Sequence, residues 1–220
     1  MIKLLTRFIH HRHILQFSLP RSGSTLVYNV LRELFPRHRI EKCHTLDRRN
    51  LESTIVATYR NPVDIVASLL LVSNGSVTDA NIREQSILLN TQGIWELLTI
   101  RNRSNMLLLH YEDFVDDFDV LFNNIENHFQ IRVSSEKRIE LSTKYNRELV
   151  QAITERYDDF SQYDPKTQFH GHHISRFNGA PNFAQELFNN EQCDNVAKYF
   201  SLFMEEMDYS SAKAAVGSST

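Results

Sequence analysis

Apolar positions along this 220-residue chain switch between two spacings, and each switch marks an element. Ile14-Leu15-Gln16-Phe17-Ser18 is a short apolar run that ends at Leu19-Pro20 and predicts a first strand. From Ser24 the spacing becomes helical, with Leu26, Val30, Leu31 and Leu34, and Pro36 stops it. Arg39–His44 reads as a second short strand and the β-branched run Thr54–Tyr59 as a third. Asn61-Pro62 then supplies an N-cap and a first-turn proline, Asp64 suits the positive helix end, and Ile65, Val66, Leu69 and Leu70 point inward. One helix is predicted over about 81–100, with Ile87, Ile94 and Leu98 on one stripe, and Trp95 is assigned to the core. Met106–Leu109 is a continuous apolar strand, as a parallel sheet covered on both faces requires. Leu121, Ile125 and Phe129 mark a further helix, and the stretches 135–163 and 183–203 also read as helical. Strands alternating with helices predict one α/β domain around a central parallel sheet over residues 1–209, with a disordered tail over 210–220. Its ligand site is expected beyond the C-terminal ends of the strands.

Composition narrows the function. Lys+Arg 24 against Asp+Glu 27 leaves a net charge of −3, too little positive field for general nucleic-acid binding, so any anion site is built locally. The two cysteines, Cys43 and Cys193, exclude a disulfide scaffold and a cysteine zinc site and suit a reducing, cytoplasmic setting. No apolar run approaches the ~20 residues of a membrane span. The N-terminal stretch is interrupted by Lys3, Arg7 and Arg12, unlike a signal peptide. His170, His172 and His173 have no accompanying carboxylate or cysteine cluster and read as a mobile loop; no metal is expected. His10, His11 and His13 read as a solvated stretch.

Two junctions carry the chemistry. Leu19-Pro20-Arg21-Ser22-Gly23-Ser24-Thr25 joins a strand to a helix N-terminus, where unpaired N–H groups face an anion. Gly23 permits close backbone approach, Ser22, Ser24 and Thr25 add hydroxyl donors, and Arg21 adds a fork of donors. Against the pattern G-x-x-x-x-G-K-[ST], Ser18 replaces the first glycine and Ser24 the lysine, which argues against a nucleoside triphosphatase. In the second junction, Arg60 stands at the carboxyl end of the third strand and Ser68 about two turns into the next helix. Between the junctions, Lys42 and His44 share a strand face while Cys43 points the other way into the core.

The string FSLPRSGSTLVYNVL resembles the 5′-phosphosulfate-binding loop of the sulfotransferase family, which uses 3′-phosphoadenosine 5′-phosphosulfate (PAPS). Its Pro-Arg-Ser-Gly-Ser-Thr form is similar to the carbohydrate-type and bacterial branches; the cytosolic branch usually has lysine at the position of Arg21. Thr58–Ser68 resembles the family's 3′-phosphate segment, and Lys42-Cys43-His44 its Lys-x-His element. The resemblance implies a three-layer, P-loop-like α/β fold with PAPS as donor, PAP as product and no metal. It implies a cofactor site of Arg21, Ser22, Gly23, Ser24, Thr25, Leu26, Arg60 and Ser68, with His44 as general base and Lys42 and Arg21 stabilising the transferred group. Glu41 and Glu52 are the alternative bases, because carbohydrate-type relatives often use glutamate. Tyr111-Glu112-Asp113 resembles the family's Tyr-Glu-Asp segment, and Tyr111 reads equally as a nucleotide neighbour or a core aromatic. Of the C-terminal Arg-Lys-Gly-x-x-Gly-Asp-Trp element only Arg176 is kept. The acceptor is a hydroxyl or amine on a small molecule or carbohydrate. The other readings are a P-loop nucleotide or nucleoside kinase and a non-catalytic PAPS- or PAP-binding protein.

Overall fold

The computed structural model describes residues 13–47, 51–159, 161–171, 173–174 and 177–209. Arg176, His172, His10, His11 and the 210–220 tail therefore lie outside the described residues. Among those described, four parallel strands form one sheet in the order β2-β1-β3-β4: β1 (His13–Ser18), β2 (Arg39–Cys43), β3 (Thr54–Tyr59) and β4 (Met106–His110).

Side-chain alternation along the strands builds two cores, one on each face. Leu15, Phe17, Ile55 and Ala57 pack with α2 (Pro62–Val72), α3 (Asp79–Leu89), α4 (Trp95–Ile100) and the C-terminal Phe200 and Phe203. Ile14, Val56, Leu107 and Leu109 pack on the other face with α1 (Ser24–Leu34), α5 (Tyr111–Phe114), α6 (Phe118–Phe129), α7 (Ser135–Lys144) and α8 (Arg147–Thr154). The result is the three-layer α/β arrangement expected from the sequence. After β1 the chain crosses to β2 on one side and then to β3 on the other. This reversal opens a crevice at the C-terminal ends of β1 and β3, where open α/β sheets bind ligands. The predicted junctions follow these two strands.

Several expected elements are divided. The 81–100 helix stops at Leu89 and resumes at Trp95, with Gln92 (φ −113°) and Gly93 (φ 97°) non-helical between them. The break turns Ile87 (47% exposed) and Trp95 (55% exposed) to solvent, while Ile94 and Leu98 stay buried. The 135–163 stretch becomes α7 and α8, the second started by the Asn146 side chain accepting from the Leu149 N–H. The 183–203 stretch splits into a 3₁₀ turn (Phe183–Glu186), α9 (Asn190–Tyr199) and α10 (Ser201–Glu206). Asn189 and Gln192 form a capping box that begins α9 anew. His13 is not a solvated residue: it opens β1, with Nδ1 2.9 Å from Ser53 Oγ and Nε2 3.3 Å from Glu41. No helix among the described residues is long and apolar enough to cross a membrane.

Candidate active site

The loop after β1 is sewn to the end of β3. The Leu19 N–H donates to the Thr58 carbonyl at 3.1 Å, so the junctions that follow these strands leave the sheet together. Gly23 caps α1 in a left-handed conformation (φ 77°), and a Cβ there would stand 3.0 Å from the Tyr111 ring and 3.1 Å from Phe114. Only glycine meets both demands. Ser22 departs from expectation as a hydroxyl donor to a ligand. Its Oγ is buried, donates to the Leu19 carbonyl at 2.6 Å and lies 2.8 Å from Thr58 Oγ1, so it braces the loop from behind. Arg21, also left-handed (φ 59°), donates from Nε to Ser68 Oγ and from Nη2 to the His173 carbonyl, both at 2.9 Å. Burial, then the neighbouring Arg60 charge, pushes its guanidinium down to about 10.

A cavity of about 310 Å³ opens above this crevice. Arg21, Gly23, Ser24, Thr25 and Leu26 line it from the first junction, Arg60 and Ser68 from the second, Lys42 and His44 from the end of β2 and just beyond it, and Tyr111 from the start of α5. Among the described residues no carboxylate lines it. Its electrostatics follow from four cations, Arg21, Lys42, Arg60 and Arg147, gathered around one low-dielectric space.

Lys42 and His44 do point together. Lys42 Nζ donates to Thr25 Oγ1 at 2.8 Å, and His44 Nδ1 lies 2.9 Å from the Ser18 carbonyl. A carbonyl only accepts, so Nδ1 carries the proton and Nε2 keeps its lone pair. Burial, opposed by the Ser18 bond and aided by Lys42, lowers the imidazole's proton affinity and keeps it neutral. Cys43 faces away, half-buried against the first core, with its thiol pushed up to about 11 by burial and Glu41. The alternative bases stand elsewhere: Glu41 pairs with Arg39 and His13, exposed Glu52 has no part in the cavity lining, and neither faces the site.

Burial and then Arg21 push the Lys42 ammonium down to about 8. Its charge is therefore lost as pH rises through about 8, and above that pH binding an anion beside it draws one proton onto the Lys42 amine. Affinity for a nucleotide anion is expected to weaken above that pH, with log Kd rising toward unit slope as for one linked proton. Lys42→Arg, which stays charged, should flatten this limb in a titration series; parallel curves for the two proteins would rule the linkage out.

Arg60, 2% exposed, is held from several sides. Its Nη2 donates to Asp64 Oδ2 at 3.2 Å and to the Ala180 carbonyl at 2.7 Å, and its guanidinium stands 4.4 Å from the Tyr111 ring centroid. Asp64 also accepts from the Asn182 and Ala184 N–H groups, at 2.7 and 3.0 Å. Tyr111 has the burial and the satisfied hydroxyl of a core aromatic, and it also reaches the cavity. Its ring is buried and lines the cavity, while its hydroxyl donates to the Gly179 carbonyl at 2.7 Å. Glu112 accepts from the Asn61 N–H at 2.9 Å and from the Tyr209 hydroxyl at 3.2 Å, fixing the turn that carries Arg60. Burial would raise its carboxyl, but His110 and the Asn61 N–H hold it below the usual range.

No family model and no curated protein matches the chain. Solved structures do. Mouse sulfotransferase SULT7A1 complexed with PAP is similar over 88% of this chain and 84% of its own, with TM-score 0.64 and 14% identity. Retinol dehydratase in complex with androsterone and inactive cofactor PAP is similar over 88% of this chain and 80% of its own, with TM-score 0.60 and 14% identity. Its complex with retinol and PAP gives TM-score 0.60 and 15% identity over 88% and 81% of the two chains. This chain has the sulfotransferase fold.

On that fold, three features of the site escaped the sequence reading. Arg147, at the first turn of α8, lines the cavity and belongs to a stretch read only as helical. His170 and His173 line it too, and hydrogen bonds tie the residues just before them to the fold. Asn29 Nδ2 donates to the Thr167 carbonyl at 2.7 Å, and the Asp164 N–H to the Phe169 carbonyl at 2.8 Å. His173 Nδ1 lies 3.2 Å from His170 Nε2, and burial followed by His170 pushes His173 well below its ordinary value. Among the described residues no group of three or more metal-ligating side chains is placed to hold an ion.

The third feature is Gly93. A Cβ there would stand 3.0 Å from the His44 carbonyl and 3.0 Å from the Phe17 ring, so the helix break also seats the histidine. Gly93→Ala is expected to cost about 1–2 kcal/mol for its left-handed backbone alone. Displacement of His44 should add a larger loss of turnover than of nucleotide affinity. Chemical denaturation and steady-state kinetics check the two parts, and an unchanged stability would contradict the strain.

Proposed function

We propose that the protein is a sulfotransferase that binds PAPS and passes its sulfuryl group to a hydroxyl or amine on a small-molecule or carbohydrate acceptor, releasing PAP. One observation carries this reading: the glycine-containing start of α1, the Arg60–Ser68 segment and the Lys42/His44 face meet in one cation-lined cavity. Two atoms of the cavity wall also suit an anionic nucleotide. Among the described residues, Arg60 Nε and Asn178 Oδ1 are buried polar atoms without a hydrogen-bond partner, on two residues of the cavity wall. The first is a donor suited to a phosphate oxygen, the second an acceptor suited to a nucleoside hydroxyl or amino group.

PAPS supplies a sulfuryl group already activated by its bond to phosphate. The chain supplies placement and charge. The N–H groups at the start of α1 and the Ser24 and Thr25 hydroxyls take the 5′ end, while Arg60 and Ser68 take the 3′-phosphate. Ser22 acts through the loop it braces, Leu26 and Tyr111 shape the wall, and Arg176 is assigned by resemblance alone. His44 Nε2 accepts the acceptor's proton as the new bond to sulfur forms and the bond to the 5′-phosphate breaks. Lys42 and Arg21 offset the negative charge that moves onto the oxygens.

Calorimetry with PAP, ATP and GTP tests the reading. PAP should bind and release heat without added metal, with ATP and GTP markedly weaker. Tight ATP binding without PAP binding would overturn it in favour of a kinase.

A further inference from the structure

We infer that Arg147 is a specificity-determining residue that selects nucleotides carrying a second, ribose-linked phosphate, supplied from α8, which the sequence resemblance does not reach. This rests on the nucleotide-binding reading above and adds to it a residue and a selectivity.

The cations of the cavity are supplied by different elements. Lys42 belongs to the first junction, through its bond to Thr25. Arg60 stands against the Tyr111 ring, and the Tyr111 phenol also feels the charges of Arg147 and Arg21. Arg60 contributes to holding a second phosphate but does not satisfy its oxygens alone. Its Nη2 is engaged by Asp64 and the Ala180 carbonyl, and Nη1 contacts the Arg21 carbonyl at 3.4 Å. Nε is without a partner and Nη1 makes only the long contact to the Arg21 carbonyl, so Arg60 offers these few N–H groups and a charge already balanced by a buried carboxylate.

Arg147 supplies what is missing. Its Nη1 donates to the Asn178 carbonyl at 2.9 Å, which ties α8 to the loop whose next residue, Gly179, accepts from Tyr111. Its other partner, Asp116, is 57% exposed, and such rim ion pairs are weak and exchangeable. A bound phosphate therefore competes with Asp116 for a guanidinium at modest cost, whereas taking Arg60 from buried Asp64 is expensive. Loop 177–182 keeps none of the resemblance's Lys-Gly pair, since Phe177 and Asn178 stand there. Arg147 thus brings a cation to a loop whose residues 177–182 carry none.

The test compares PAP with adenosine 5′-monophosphate, which lacks the 3′-phosphate, in calorimetry on the full chain. Arg147→Ala should raise the Kd for PAP about tenfold or more, as for a lost charge-assisted bond, while the monophosphate changes less than about twofold. Arg147→Lys should fall between wild type and alanine. Asp116→Ala breaks the same ion pair but keeps the cation, so it should leave PAP binding unchanged or tighter. Equal losses for the two nucleotides, or an Asp116→Ala protein that behaves like Arg147→Ala, would overturn the inference and make the pair structural. A wild-type protein that binds PAP, with Arg147→Ala unchanged, overturns this inference alone. A wild-type protein that binds neither nucleotide overturns the proposed function as well. Melting curves for each variant confirm that folded protein is compared.

Discussion

Replacing His44 with alanine is expected to lower turnover by about 10²–10⁴-fold, the usual contribution of a general base, while PAP affinity stays within about twofold. The two readouts separate because of how the ring is held. Nδ1 donates to the Ser18 carbonyl, a backbone group at the end of β1, so the ring is oriented by the sheet and not by the ligand. Nε2 is left as a lone pair in a cavity whose cations raise the acidity of a hydroxyl placed beside them. The sign of the pH dependence follows. Burial lowers the imidazole below its ordinary 6.5, so the basic form persists to lower pH, and activity should fall only as pH drops through that lowered value. The acid limb of kcat/KM should therefore have its midpoint below 6.5 in the wild type. It should vanish in His44→Ala, with added imidazole restoring part of the rate. An alanine variant with full activity would remove His44 from the mechanism. A persisting acid limb would move the base to His173, the other neutral imidazole lining the cavity.

The site was legible where chemistry is local in sequence. Each junction is a strand end followed by a helix start, and Gly23, Asn61-Pro62 and the alternation of Lys42, Cys43 and His44 each state their geometry within a few residues. The four strands were legible for the same reason: each is a continuous or alternating apolar run between turn residues. Legibility failed where one residue overrides a longer period. Gly93 interrupts an apolar stripe that otherwise suits one helix, and the reason a glycine is needed there, the close approach of Phe17 and the His44 carbonyl, is remote in sequence. The capping box at Asn189 and Gln192 was a readable signal, outweighed by the apolar spacing on either side. Arg147 and the His170–His173 pair were not readable as site residues. Their partners are the Asn178 carbonyl, Asp116 and the Arg21 side chain, 31 residues away for the first two and 152 for the contact between His173 and Arg21. No short motif encodes such a meeting.

The largest loss of stability is expected from Asp64→Ala, about 3–5 kcal/mol, because it leaves a buried cation without its counter-ion. Asp64 is 1% exposed, and the guanidinium it balances is 2% exposed. The same carboxylate accepts from the Asn182 and Ala184 N–H groups, so its loss also strands two backbone donors and frees loop 177–186 from the start of α2. That loop carries the Gly179 and Ala180 carbonyls that hold Tyr111 and Arg60, so the cavity wall should loosen with it. Arg60→Ala strikes the pair from the other side and should behave differently. Asp64 then keeps its two N–H donors, so the stability loss is smaller. The nucleotide loses a contact and a charge in the cavity, weakening PAP by about 2–5 kcal/mol. The double variant removes both charges at once, and its stability loss should be well short of the sum of the singles, since neither ion is left alone. Urea denaturation of the three variants, with PAP calorimetry on each that folds, separates the two roles. Additive losses in the double variant, or an Asp64→Ala protein as stable as wild type, would show that the buried pair holds neither the loop nor the arginine.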